Sequence, residues 1–171
     1  MEFTDVVKGR WSCKAYDSSR QVKKEQLDEI LEAARMAPTA KNLQEQHIYV
    51  VQKPEMLEMI DKGTPCRYGA PTVLIVAWHK DNVYTYPDGK RESGVEDAAI
   101  IATHLMLAAA NAGVDSCWLN CIHADELHEM FQLPEDEEIL MLLDLGYAAA
   151  EAKPKPTHYS RKPIEETVTW L

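Results

Sequence analysis

Arg10-Trp11-Ser12-Cys13-Lys14 has neither helical nor strand periodicity. In an extended segment its two cations and its hydroxyl fall at alternating positions and point the same way. Such a set suits a cluster of phosphate oxygens, although a solvated basic face has the same spacing. A second stretch, Ala37-Pro38-Thr39-Ala40-Lys41-Asn42-Leu43-Gln44, is rich in small and polar groups. It reads either as an ordinary connection or as a pocket wall, whose amides, with Asn42 and Gln44, donate to and accept from a heterocycle edge. Cys117, Cys121, His123 and His128 have zinc-binding side chains at poor spacing, so buried thiols and a solvated histidine account for them and no metal is expected. Cys13 reads as a small filler or a redox thiol. Trp118 and Trp170 read as core or interface packing, and His104 as a satisfied buried histidine. No pair of side chains stands out as a catalytic dyad.

The elements that must position these groups are legible from periodicity. Ser93 to Gly113 predicts one long helix, with a capping-box pair at Ser93 and Glu96 and a left-handed terminator at Gly113. Ala98, Ile101, Ala102, Leu105, Ala108, Ala109 and Ala112 form its apolar stripe. Ile100, Met106, Leu107 and Ala110 cover much of the rest, so burial nearly all round is expected. Its uncharged part is too short to span a bilayer, which needs about 20 apolar residues. Lys24 to Met36 and Asp125 to Phe131 predict amphipathic helices, with a shorter helix around Met56 to Asp61 and an amphipathic turn from Phe3 to Val7. Strands are expected at His47 to Val51, Val73 to Trp78, Asp115 to Asn120 and Glu138 to Gly146, with a terminal strand around Thr167 to Trp170. Asp81 to Arg91 is turn-like and suits a mobile flap, and Lys153 to Pro156 reads as an extended linker.

The chain of 171 residues fits a single domain, and interleaved helices and strands favour a three-layer α/β or α+β arrangement around one sheet. The net charge of −10 opposes binding to nucleic acid or to an anionic membrane. Four cysteines without an N-terminal apolar segment suit a reducing compartment, so a cytoplasmic protein is expected.

Taken in order, Arg10-x-Ser12-x-Lys14, Ala37-Pro38-Thr39-Ala40-x-Asn42-x-Gln44, Gly113-Val114-Asp115-Ser116, Leu133-Pro134, Leu145-Gly146-Tyr147 and Arg161-Lys162-Pro163 resemble the FMN-dependent nitroreductase family across nearly the whole chain. The resemblance implies one α+β domain over residues 1–171, a central mixed sheet flanked by helices, and an obligate homodimer with the C-terminal segment exchanged onto the partner. It implies FMN at the subunit interface. Arg10, Ser12 and Lys14, with Trp11 between them, match the first flavin-binding motif, Arg10 and Ser12 toward the phosphate and ribityl chain and Lys14 toward the pyrimidine side of the ring. Pro38, Thr39, Ala40 and Asn42 match the loop supplied by the partner subunit. Asn120 and Cys121 fall where a backbone amide faces the flavin N5, and Arg161 matches a phosphate-binding arginine. The implied activity is reduction of a nitroaromatic, quinone or flavin-like acceptor by NADH or NADPH in a ping-pong cycle, with no dedicated catalytic side chain. Glu45-Gln46 stands where the family commonly has Pro-Trp, Asn120-Cys121 where many members have glycine, and Lys14 where arginine is more frequent. The altered Gln46 wall and Asn120-Cys121 motivate a second reading from another class, a flavin-binding carrier or sensor without significant turnover.

Overall fold

Apolar residues on both faces leave a strand no place but the middle of a sheet, and two strands of this chain have that character. The computed structural model describes residues 2–171. In it Thr72–His79 (β2) is buried from Thr72 through Trp78, and Glu137–Gly146 (β4) is nearly as enclosed. They pair with each other at the centre, Gln46–Val51 (β1) lies outside β2, and Asp115–Leu119 (β3) lies outside β4, giving the order β1-β2-β4-β3. Every pairing between these strands is antiparallel. The expected mixed sheet is thereby corrected; among the described residues the one parallel pairing is an isolated bridge from Ser12 to Ser116.

Helices cover both faces. Lys24–Arg35 (α2) and Gly94–Asn111 (α4) pack with Leu74, Val76, Trp78, Met141, Leu143 and Leu145 on one side. Pro54–Gly63 (α3) and Ala124–Phe131 (α5) pack with Val73, Ile75, Leu119, Ile139 and Leu142 on the other. A register shift where Val76 meets Met141 and Ala77 meets Ile139 lets β4 keep large side chains turned to both layers. Phe3–Gly9 (α1) lies against α4, and its single buried side chain is Val6.

α4 buries Ala98, Ile101, Ala102, Leu105 and Ala109 as its spacing requires. Its opposite face is open in the single chain, with Val95 54% and Ile100 37% exposed. His104 lies on the more open side, partly exposed, with Nδ1 2.9 Å from the Ile100 carbonyl, so the buried-histidine expectation is also corrected. The C-terminus of the helix is a Schellman arrangement: Gly113 has φ +71°, its amide reaches the Ala110 carbonyl at 3.2 Å, and the Val114 amide reaches Ala109 at 2.8 Å. The N-terminus differs from the sequence expectation. Ser93 makes no capping bond; its hydroxyl accepts from the Tyr84 amide at 3.1 Å, because the preceding hairpin-like turn takes the group the helix would use. Within that turn Thr85 bridges Glu92, and Tyr86 and Arg91 stack at 4.0 Å.

The terminal strand does not form. Ile164–Glu166 is a single 3-10 turn, Thr167 to Leu171 pairs with no strand, and Trp170 is 92% exposed, outside the core of its own chain.

A Cβ placed on Gly94 would lie 2.2 Å from Trp78 Nε1 and 2.5 Å from its Cδ1. The indole is wedged between β2 and α4 and has no free direction to yield. Gly94→Ala should therefore lose about 1–3 kcal/mol in urea unfolding, the cost of overpacking. Gly113→Ala, with open space around it but a left-handed backbone, should lose about 1 kcal/mol.

Candidate functional site

The segment from Arg10 to Tyr16 docks along the free edge of β3. Ser12 bridges Ser116, the Cys13 amide donates to the Ser116 carbonyl at 3.0 Å, and Tyr16 bridges Ala148. Extended backbone fixed in this way must alternate. Cys13 turns inward beside Tyr16 and Ala70, with Trp11 packed on the same cluster, while Ser12 and Lys14 turn outward. The Cys13 thiol donates to the Ala15 carbonyl at 3.2 Å, and burial holds its pKa above the ordinary value, so it is filler rather than a redox thiol.

Ser12 and Lys14 line a cavity of about 230 Å³ with Cys117, Trp118, Lys155 and His158. Lys14 Nζ stands 5.7 Å from the centre of the Tyr68 ring, which orients the ammonium by a cation–π contact. The Arg161 guanidinium donates to the carbonyls of His158 and Ser160 at 2.5 and 2.7 Å, which ties it to the tail that walls this cavity. Asn120 is reached through Trp118, whose indole N–H donates to Asn120 Oδ1 at 2.6 Å. Cys121 is exposed, and its carbonyl accepts from Thr64 Oγ1 at 2.6 Å. Arg10 and Trp11 line a neighbouring cleft of about 200 Å³, beside Ala110, Gly113 and Asp115 at the end of α4. The motif is thus divided between two adjacent hollows.

Pro38, Thr39, Ala40 and Asn42 lie elsewhere. The Ala40 amide donates to Asp97 Oδ1 at 2.9 Å, in the first turn of α4, whereas Arg10 and Trp11 sit by Ala110 in its last turn. At 1.5 Å per residue those positions are about 20 Å apart along the helix. The loop holds left-handed backbone at Lys41, Asn42 and Gln44, with φ of 52°, 56° and 55°. Thr39 closes it: its carbonyl accepts from the Asn42 amide and its hydroxyl from the Gln44 amide, each at 3.0 Å. Three non-glycine residues in that region are strained, so the loop is held in a shape it would not adopt free.

The nitroreductase family model matches residues 7–65 and 61–147. The chain belongs to the nitroreductase family. A nitroreductase family protein from Clostridium difficile 630 superposes with a TM-score of 0.91 at 33% identity, over 99% of this chain and 98% of that one. The oxygen-insensitive NADPH nitroreductase of Helicobacter acinonychis (strain Sheeba) is 26% identical, over 97% of this chain and 95% of its own. A protein from Exiguobacterium sibiricum 255-15, solved in complex with FMN, shares the fold at a TM-score of 0.86 and 22% identity, over 100% of this chain and 98% of that one.

Within this nitroreductase fold the sequence reading passed over Lys155 and His158. The Lys153 to Pro156 stretch reads as a linker, yet its Pro154 and Lys155 line the cavity together with Thr157 and His158. The signal that could have found them is the basic and polar content of a proline-stiffened segment just ahead of Arg161. Among the described residues, Cys117, Cys121, His123 and His128 do not come together as one cluster. His128 Nε2 lies 2.9 Å from the Pro134 carbonyl and His123 lies against Glu126, while Cys117 is buried.

Two of the buried carboxyl groups, Asp144 and Glu45, are pushed toward their neutral forms. Asp144, at 0% exposure with both oxygens unpartnered, is pushed up to about 9 by burial, against the lowering influence of Arg67. Glu45, which with Gln46 stands where the family commonly has Pro-Trp, points inward at 1% exposure, its oxygens likewise unpartnered and Asp97 beside it. Burial first, then the neighbouring carboxyl, pushes Glu45 up to about 7. A carboxyl whose folded pKa is raised binds more protons when folded than when unfolded, so its contribution to stability falls as pH rises from 4.5 toward about 7. Glu45→Gln should shrink the difference in stability between pH 5 and pH 8 by an amount on the order of 1–3 kcal/mol. Thermal melts at the two pH values check this, and an unchanged difference refutes it; the decline due to Asp144 remains in both proteins.

Proposed function

We propose that the protein is an FMN-dependent oxidoreductase that uses NADH or NADPH to reduce a nitroaromatic, quinone or flavin-like acceptor in a ping-pong cycle, acting as a homodimer. The observation that carries this reading is the cavity of Ser12, Lys14, Lys155 and His158, with Arg161 fixed to its wall. The donor set fits the cofactor. A phosphate needs cations and hydroxyls converging from several directions, and these come from two segments far apart in sequence. When bound, FMN supplies the electron-carrying ring and the site of hydride acceptance.

The chain's own residues bind and tune. Ser12 offers a hydroxyl donor, and Arg161 and Lys155 offer charge to the phosphate. Arg10, in the neighbouring cleft, would add a further positive charge for the phosphate. Lys14, steadied by Tyr68, holds a positive charge where added electron density on the ring is stabilised. Asn120, oriented by Trp118 at the end of β3, would be one of the residues that hold the ring. No side chain is required to take a proton, and the buried thiol of Cys117, pushed up to about 11 by burial, stays neutral.

At about 230 Å³ the cavity is smaller than the ~300–1,000 Å³ typical of small-molecule sites. A second wall is therefore needed. The strained loop of Pro38, Thr39, Ala40 and Asn42, too remote to serve its own chain's cavity, supplies it to a second copy across the open face of α4. The apolar tail, with Ile164 66% and Trp170 92% exposed, reaches over that copy. Cytoplasmic residence belongs to the same reading, on the strength of four free cysteines.

Purified protein titrated with FMN should bind one flavin per chain and quench its fluorescence. Arg161→Ala should weaken binding about 10- to 100-fold, the worth of one charge-assisted hydrogen bond. Lys14→Met should lower the flavin reduction potential. Acceptor-dependent NAD(P)H oxidation separates an enzyme from a carrier, and a protein that binds no flavin at all ends the proposal.

A further inference from the structure

On the far side of the sheet from α4, three strands bring together a cluster that the flavin chemistry does not use. His79 ends β2 directly opposite Glu137 at the start of β4, and His47 on β1 stands opposite Ala77. Residues opposite one another in antiparallel strands share a face, and so do residues two apart on one strand, so His47, His79 and Glu137 project together. Tyr49, two residues beyond His47, joins them.

The atoms meet closely. His47 Nδ1 lies 2.5 Å from Glu137 Oε1, and His79 Nε2 lies 3.5 Å from the same oxygen. The other oxygen, Glu137 Oε2, accepts from the Tyr49 hydroxyl at 2.5 Å. The second ring nitrogen of His79, Nδ1, is 2.9 Å from Asp136 Oδ2. One ligand atom from each of His47, His79 and Glu137 lies within 4.8 Å of the others.

We propose that His47, His79 and Glu137 form a binding site for a divalent transition metal, zinc by preference. Two imidazoles and one carboxylate are the donor set that zinc accepts, with a remaining position for water. The outer contacts match what such sites need. Asp136 accepts from His79 Nδ1 and so leaves Nε2 unprotonated toward the metal, the carboxylate–histidine arrangement that fixes tautomer and ring direction. Tyr49 holds the Glu137 carboxylate, whose side chain is fully buried, so the least mobile ligand anchors the site. His47 is 45% and His79 38% exposed, which gives a hydrated ion an approach. A cavity of about 300 Å³ beside Glu137, walled by Asp125, Glu135 and Glu138 with Lys80 and His128, carries an excess of acidic side chains along the approach. A bound ion clamps β1, β2 and β4 at one end of the sheet.

The full chain, stripped with chelator and freed of it by gel filtration, is titrated with Zn²⁺ by calorimetry. One Zn²⁺ per chain is expected, with a rise in Tm of about 5–10 °C at a hundredfold excess over the dissociation constant. His47→Gln and His79→Gln should each weaken binding at least tenfold; His47 is exposed enough that its variant keeps the fold, which far-UV circular dichroism checks. Co²⁺ in place of zinc should give visible d–d bands without thiolate charge transfer. Absence of stoichiometric binding, undiminished affinity in the variants, a thiolate band, or an equal Tm rise with Mg²⁺ would each overturn the proposal.

Discussion

The antiparallel pair β2 and β4, enclosed on both faces, is the constraint from which the rest of the molecule follows. Val73 and Ile75 face α3 and α5 while Leu74 and Val76 face α2 and α4, so neither layer can be removed without exposing half of the central strands. At about 25 cal/mol per Å² of apolar surface, no polar contact in the chain competes with that burial. Polar chemistry is consequently displaced to the margins of the sheet. The flavin-type motif docks on the free edge of β3, and the histidine cluster occupies the end where β2 meets β4. Asp144 is the exception that shows the rule, since a carboxyl group left in the middle of β4 is pushed toward its neutral form.

What the sequence made legible is what that constraint writes into local pattern. The stripe of Ala98, Ile101, Ala102, Leu105 and Ala109 and the unbroken run from Val73 to Trp78 each admit one placement, and each is found there. Misreadings arose where a group had two suitors. Ser93 carries a capping-box signature, yet its hydroxyl serves the Tyr84 amide of the turn before it. Thr167 to Trp170 alternates as a strand would, but alternation cannot create the edge to pair with, and every edge within reach of its own chain goes unused by it. The histidine cluster was invisible for another reason. Its members are separated by 32 and 58 positions and meet only through register, which no local spacing encodes.

The candidate site was legible in part because it depends on order and side-chain type rather than on register alone. Ser12 and Lys14 alternate outward as an extended segment demands, and the inward Cys13 between them is the same alternation seen from the core. Arg10 departs from this because it closes α1, where the chain is still turning out of the helix and faces the end of α4. Lys155 and His158 escaped notice since prolines mark a stretch as a connector, although stiffness is also what a cavity wall needs.

The separation of the two flavin-type segments along α4 bears on why this helix lacks a polar face. A helix with Val95 and Ile100 open on one side and a packed stripe on the other would be a solubility burden in a lone chain. If a second copy lies across that face about a two-fold axis, the first turn of one α4 comes to the last turn of the other. The strained loop held by Asp97 then arrives beside the cleft of Arg10 and Trp11, from which it is about 20 Å away along α4 in its own chain. On the proposed homodimer, one antiparallel contact would account for the exposed apolar side chains, the undersized cavity and the displaced loop together. Each of these taken singly would need an explanation of its own.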